Sequence, residues 1–162
     1  MSQVTRATVS LRAASAKEIE DIATGRRPPT GWARDFPQKG DVAATQYASP
    51  LKASGDVAWS QQWLIVVDDV VAGTIGFKGE PVDHELEVGY GVAPSLRRRG
   101  VASEALRQLL DKVSGHGFRV KAETSWWNVG SQHVVKKVGF IEVGRRMSDR
   151  DGELIVWQLE LK

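Results

Sequence analysis

The 162-residue chain contains no cysteine. That excludes a disulfide framework, a thiolate metal site and any route that parks an acyl group on a protein thiol. It also lacks a long apolar run, none approaching the roughly 20 residues needed to span a bilayer. The stretch from Met1 to Arg12 has no apolar h-region of a signal peptide. The expectation is a cytoplasmic protein with no membrane partner. Charge of one sign is scarce too: 22 basic residues stand against 20 acidic ones, a formal net charge of +2. Proteins that grip nucleic acid by its phosphates show a basic face or a larger excess, so no nucleic-acid partner is expected, and no metal. What is present is 41% hydrophobic and 26% charged residues, the make-up of a domain with a real core. No repeat, low-complexity tract or linker interrupts residues 1–162, so one domain is expected.

Hydrophobic periodicity orders the chain. Val4 to Leu11 reads as a strand, and Ala16 to Thr24 as a helix with Ser15 as N-cap. Gly25 to Gly40 is a proline-broken loop holding Trp32, Asp35 and Phe36, expected to contribute to a pocket. Asp41 to Ala48 is a short second helix. Trp59 to Val67 and Val70 to Phe77, joined by Asp68-Asp69, read as a hairpin. His84 to Ala93 is the next strand, Gly100 to His116 the clearest helix, and Arg119 to Thr124 a strand. Asn128 to Val138 is a helix stopped by Gly139. Phe140 to Arg146 and the alternation of Ile155, Trp157, Leu159 and Leu161 give two final strands. Hairpin strands followed by strand–helix–strand–helix–strand imply an α/β (α+β) fold with helices on a sheet.

The segment Val92-Ala93-Pro94-Ser95-Leu96-Arg97-Arg98-Arg99-Gly100-Val101-Ala102-Ser103 is the most informative. It ends a strand and opens a long helix. A helix start has four backbone N–H groups without partners and about half a positive charge. Arg97, Arg98 and Arg99 are electrostatically misplaced there unless an anion joins them. Gly100 has no Cβ and lets a ligand approach the backbone. The competing reading is a solvated arginine cluster on a connecting turn. A nucleotide P-loop does not fit, because Gly-x-x-x-x-Gly-Lys-Ser/Thr is missing.

Read with period two, the preceding strand has an apolar face of Leu86, Val88, Tyr90 and Val92. Its other face runs Glu85, Glu87, Gly89, Gly91, Ala93: two carboxylates, then a bare surface leading to the anion site. Strand glycines often mark close approach of a ligand. Exposed strand carboxylates that merely face water are the alternative. Downstream, Asn128 is an N-cap, and Ser131 sits one turn into its helix. The adjacent Trp126 and Trp127 read as packing, with one of the pair available to line a pocket.

These blocks resemble the GNAT family of acetyltransferases. The family's Gln/Arg-x-x-Gly-x-Gly/Ala motif stands here as Arg97-Arg98-Arg99-Gly100-Val101-Ala102. Its downstream pattern stands as Asn128, Ser131, Lys137, Gly139 and Phe140, similar to the branch of ribosomal-protein N-terminal acetyltransferases. The resemblance covers about Val71 to Phe140. It implies a central mixed, mostly antiparallel sheet of six or seven strands, helices on both faces, and a splay between strands four and five. It implies acetyl-CoA as acyl donor, with the pantetheine arm in the splay. It further implies that backbone groups near Val92 and Ala93 hold the acetyl and pantetheine groups, that the amides from Arg98 to Ser103, including Arg99, Gly100, Val101 and Ala102, wrap the pyrophosphate beside Arg97, and that Asn128 and Ser131 lie near the pantetheine or the thioester. One departure matters: many members carry a tyrosine acid seven residues after the asparagine, and here that position is Val135.

The expected reaction is direct attack of an amine on the thioester, with Glu87 as base and Ser131 as the remaining candidate acid. The acceptor is an amine-bearing small molecule or a protein N-terminus. A catalytically silent acetyl-CoA sensor would carry the same motif. A monomer or homodimer is expected.

Overall fold

The computed structural model describes residues 7–48 and 61–162, the side chains of 47 and 48 excepted. The first strand, β1, spans Val9–Ala13 and is followed by helix α1, Ala16–Thr24. Ser15 caps α1 in a reciprocal box: its hydroxyl accepts from Glu18 N–H at 3.1 Å, and Glu18 accepts from Ser15 N–H at 3.0 Å. Gly25, at φ 71°, ends the helix. Of the strand expected from Val4 to Leu11, Ala7 and Thr8 precede β1 without joining it, and Val4 to Arg6, with Trp59 of the next strand, lie outside the described residues.

Helix α2 spans Lys39–Ala48, two residues longer at its start than its apolar spacing suggests. Strands β2, Gln62–Val67, and β3, Val70–Phe77, form the expected hairpin. Both turn residues, Asp68 and Asp69, have positive φ (47° and 69°), the geometry that matches strand twist in a two-residue loop. Strand β4 spans Glu85–Val92 and runs through a single 3-10 turn, Pro94–Leu96, into helix α3, Val101–Val113. Helix α3 stops short of His116 because Ser114 is extended and Gly115 takes φ 83°. Then come β5 (Arg119–Ser125), α4 (Val129–Val138), β6 (Ile141–Ser148) and β7 (Gly152–Glu160).

The strands form one seven-stranded sheet in the order β1-β2-β3-β4-β5-β7-β6. Every neighbouring pair is antiparallel except β4 and β5. That parallel pairing covers only Glu85, Leu86 and Glu87 against Arg119, Val120 and Lys121. Beyond Glu87 the two strands continue apart, which is the expected splay.

Alternation along the strands divides the core. On one face Ile65, Ile75, Leu86, Val88 and Trp157 pack with Leu106 and Leu109 of α3 and Val135 of α4. On the other, Leu64, Val71 and Ala93 pack with Ile22 of α1 and Phe36. Phe36 is fully buried and meets Trp32 edge-to-face at 5.1 Å. The aromatic rings of the loop expected to supply a pocket build this second core, where they remove apolar surface from water, while the end of the same segment, at Gln38 and Gly40, reaches the cleft described below.

Candidate active site

A cleft of about 450 Å³ opens where β4 and β5 part. Its walls come from the outer face of β3 and β4, from β5 at Ala122, Glu123 and Thr124, from α2 at Asp41 and Ala44, and from Ser131 of α4. Neither Trp126 nor Trp127 lines it. Both are exposed, at 59% and 62%, so the packing role expected for them does not hold. Trp32, Asp35 and Phe36 do not line it either.

The backbone of β4 is sorted by period two. Lys78 N–H donates to Glu87 O at 2.7 Å, and Ala93 N–H donates to Ala72 O at 2.7 Å. The odd-numbered residues thus turn their peptide groups to β3, and Val88, Tyr90 and Val92 turn theirs into the splay. The expectation of ligand-holding groups at Val92 and Ala93 narrows to Val92 N–H. Ala93 N–H is committed to the sheet, and Val92 O accepts from Arg97 Nε at 2.9 Å.

The three arginines part company. Arg97 is folded back onto Val92 and lines the cleft. Arg98, at φ 63°, and Arg99 are exposed at the entry to α3. Gly100 is the N-cap at φ 75°, and no side chain caps the helix. The first in-helix donor is Glu104 N–H, to Gly100 O at 3.1 Å, leaving the amides of Val101, Ala102 and Ser103 without a helical partner. The side chains of Val101 and Ser103 are buried, so these residues offer a ligand only their backbone. A Cβ at Gly100 would meet a single neighbour, Lys137 Nζ of α4, at 4.0 Å. Open space, unpaired amides and three cations therefore coincide, and the set fits a diphosphate. The turn before it is pinned from across the sheet. Asp35 accepts from both N–H and Oγ of Ser95 at 2.7 Å. Its slight burial opposes ionisation, but those bonds and the Arg34 charge hold its carboxyl below the usual range.

Asn128 caps α4, its Oδ1 accepting from Ser131 N–H at 3.1 Å. Only its amide NH₂ is left for a ligand. Ser131 Oγ lies 3.0 Å from the Tyr90 hydroxyl, which also donates to Ser131 O at 3.3 Å. Val135, in the position where many relatives carry tyrosine, is fully buried in the core. A phenol therefore reaches the splay from β4 instead of α4. Burial pushes the Tyr90 hydroxyl above its usual pKa, partly offset by the Ser131 bond. Sequence reading placed Tyr90 on an apolar face, which is where its ring lies, and missed the hydroxyl.

Glu87 is half-buried between two ammonium groups, Lys78 Nζ at 3.2 Å and Lys121 Nζ at 3.6 Å. Glu85 pairs with Arg119 at 3.1 Å. The glycine face of β4 is not empty. A Cβ at Gly89 would lie 3.0 Å from Lys78 Cε, and one at Gly91 would lie 2.9 Å from Asp41 Oδ1. The two glycines make room for protein side chains at the edge of the cleft.

The comparisons agree with this architecture. The model of the acetyltransferase (GNAT) domain matches residues 8–141. The chain belongs to that family. It is 35% identical over 85 residues to an uncharacterized N-acetyltransferase, YjdG, of Bacillus subtilis. That match takes in 49% of this chain, and the chain spans about half (50%) of that relative's length. Among solved structures, the RimL ribosomal L7/L12 alpha-N-protein acetyltransferase in complex with coenzyme A superposes with a TM-score of 0.70 at 19% identity, over 95% of this chain and 94% of that one. The Vibrio cholerae spermidine N-acetyltransferase in complex with CoA and spermine gives 0.66 at 13% identity, over 94% and 95%. At those identities the likeness is one of fold. Among the described residues no helix is long and apolar enough to cross a membrane.

Proposed function

We propose that this protein is an N-acetyltransferase that moves the acetyl group of acetyl-CoA to an amine by direct attack on the thioester. The observation that carries the reading is the junction of two features: a strand pair that parts after Glu87, and an uncapped, cation-ringed helix start at its mouth. Bound acetyl-CoA supplies an activated acyl group. Its diphosphate suits the amides from Arg98 to Ser103, with Arg98, Arg99 and Lys137 as counter-charges, and its pantetheine arm suits the splay. The NH₂ of half-buried Asn128, whose Oδ1 is taken up in capping α4, suits a contact to that arm. Arg97 acts indirectly, by fixing the end of β4 through Val92 O.

Val92 N–H, turned into the splay, is placed to donate to the carbonyl oxygen as negative charge develops there. Fixed donors act most strongly where water is excluded. Ser131 Oγ, backed by the Tyr90 hydroxyl, supplies the departing sulfur with a proton. A thiol pKa of about 8.5 makes that need modest, so Val135 is no obstacle. The amine must attack as a neutral base. An α-amine, at pKa about 8, is neutral in roughly a tenth of molecules at pH 7. Glu87 already holds two ammonium groups at the foot of the splay, so the expected role as base falls to it only through an intervening water.

The acceptor is a protein N-terminus or a small-molecule amine, the kinds of acceptor on which the alpha-N-protein and spermidine acetyltransferases act. The test is the full chain with acetyl-CoA and a panel of N-terminal peptides, polyamines and aminoglycosides, read by free thiol release. Acylation of at least one amine above the hydrolysis background is expected. CoA binding with no thiol release from any amine would leave a sensor and sink the enzyme reading.

A further inference from the structure

We propose that Asp41 is the acceptor-binding residue: its carboxylate receives the incoming amine as an ammonium ion beside Gly91 and takes the first proton that the amine must lose. The inference rests on the acetyltransferase reading above and deepens it.

Position comes first. Asp41 Oδ1 lies 2.9 Å from where a Gly91 Cβ would stand. Gly91 sits between Tyr90 and Val92, whose peptide groups turn into the splay. A cation on Asp41 is therefore one residue from the donors of the reacting carbonyl. The carboxylate is only 5% exposed, yet it lines the cleft.

Its partners come second. Oδ2 accepts from Gln38 N–H at 2.8 Å, which closes the first turn of α2. Oδ1 accepts from the Thr74 hydroxyl at 3.1 Å. Both donors are neutral, and each carboxylate oxygen can accept a further bond. Among the described residues no lysine or arginine pairs with it. The other carboxylate lining the cleft, Glu123, is taken by Lys121 and Arg146, and nearby Glu87 by Lys78 and Lys121. A nearly buried carboxylate is costly without a cation, and the amine supplies one.

Charge sets the class of acceptor. Of the charged groups facing Asp41, Arg97 acts on it from the turn after β4. Lys78, at the end of β3, and Glu123 of β5 line the same cleft, and Glu87 of β4 pairs with Lys78 beside it. Helix α1 meets α2 through a neutral bond, Gln46 Nε2 to Ala23 O at 2.8 Å. One uncommitted carboxylate among cations fits an acceptor with a single ammonium flanked by neutral or accepting groups, and disfavours a polycation. Burial raises the Asp41 carboxyl above the usual range, against the bonds from Gln38 and Thr74 and the Arg97 charge. That is the direction a proton acceptor needs near neutral pH.

The step balances. R–NH₃⁺ gives one proton to Asp41, R–NH₂ forms the C–N bond, and the C–S bond breaks. The nitrogen's second proton passes through water to Ser131, replacing the one that Ser131 gives to the sulfur. The sum is ammonium plus thioester giving amide, thiol and one proton, which Asp41 returns to solvent.

The test uses the full chain, with and without CoA, and two probes: a seryl tripeptide amide with neutral side chains, and spermidine. Carboxylate ¹³C NMR follows Asp41, assigned by its loss in Asp41→Asn. The tripeptide amide should shift the Asp41 signal, bind at least tenfold more weakly to Asp41→Asn, and bind more tightly than spermidine. The Kd for CoA should stay within twofold. Thr74→Val, which strips a donor from the charged form, should move the acidic limb of kcat/KM to higher pH. A residue that only closes a helix turn would not move that limb. Probes that leave the Asp41 signal unmoved, or amine binding unchanged in Asp41→Asn, overturn the proposal. Tighter binding of spermidine overturns the single-ammonium assignment. Failure of the acetyltransferase reading shows separately, as absent CoA binding or thiol release. If Asp41→Asn folds poorly, Thr74→Val and the wild-type titration decide.

Discussion

Glutamate at Gly100 puts a carboxylate where the proposed function seats a diphosphate. Any L-residue at φ 75° is strained, by roughly 1–2 kcal/mol, so Gly100→Ala is the proper baseline. Alanine should lower the melting temperature of the free protein and still allow CoA to bind, since its Cβ meets only Lys137 Nζ at 4.0 Å. Glutamate adds repulsion. Two unit charges at about 4 Å interact by about 4 kcal/mol at an effective dielectric of 20. The new carboxylate also competes for Lys137. A ligand at a hundred times its Kd stabilises by about 2.7 kcal/mol, so the repulsion exceeds the gain. In a chain of this size that gain reads as roughly 5–11 °C in thermal melting. CoA should therefore raise the melting temperature of wild type and Gly100→Ala by similar amounts, and that of Gly100→Glu by almost nothing. An equal rise in Gly100→Glu would move the anion site away from α3.

Other expectations follow from single contacts. Tyr90→Phe removes the hydroxyl behind Ser131 and should slow thiol release while changing stability by only about 1 kcal/mol, read by turnover and urea melts. Thr124→Val leaves the indole N–H of Trp157, bonded at 2.8 Å in the core, without an acceptor. It should cost about 1–3 kcal/mol in denaturant titration. Burial raises the Glu123 carboxyl, but the bonds and charges of Arg146 and Lys121 prevail and hold it below the usual range. Its folded pKa is thus depressed, so its stabilisation is present above the unfolded value, about 4.3, and is lost as pH falls through the folded one. Urea midpoints between pH 7 and pH 3 should fall further for wild type than for Glu123→Gln.

Element order and the uncapped, arginine-flanked start of α3 were legible because their signals are local. Ser15 and Glu18 are three apart, Gly100 and its arginines are contiguous, and the bare face of β4 is written as Gly89-x-Gly91. What that face is bare for was not legible. Asp41 lies 50 residues before Gly91, and only the packing of α2 on β4 brings them together. Tyr90 was misjudged for the same reason: its ring obeys the apolar period, and its hydroxyl answers to Ser131 on another element. Glu87 looked available as a base because the strand pattern says nothing of Lys78 and Lys121, which arrive from neighbouring strands. Trp32 and Phe36 looked like a pocket wall because aromatic residues among charges read alike whether they face a ligand or a second core; only the end of their loop, at Gln38 and Gly40, reaches the cleft.

The sheet is stitched across its middle by three residue pairs alone. Asp41 and Val92 belong to one half, Ser131 and Lys137 to the other. Helix α3 lies over β1, β3 and β4 and also braces α4, so it spans the seam. The beam that keeps the halves aligned is thus the same element whose tip, on the proposed reading, receives the diphosphate. On that reading, loading the tip bears directly on the spacing of the two banks of the cleft.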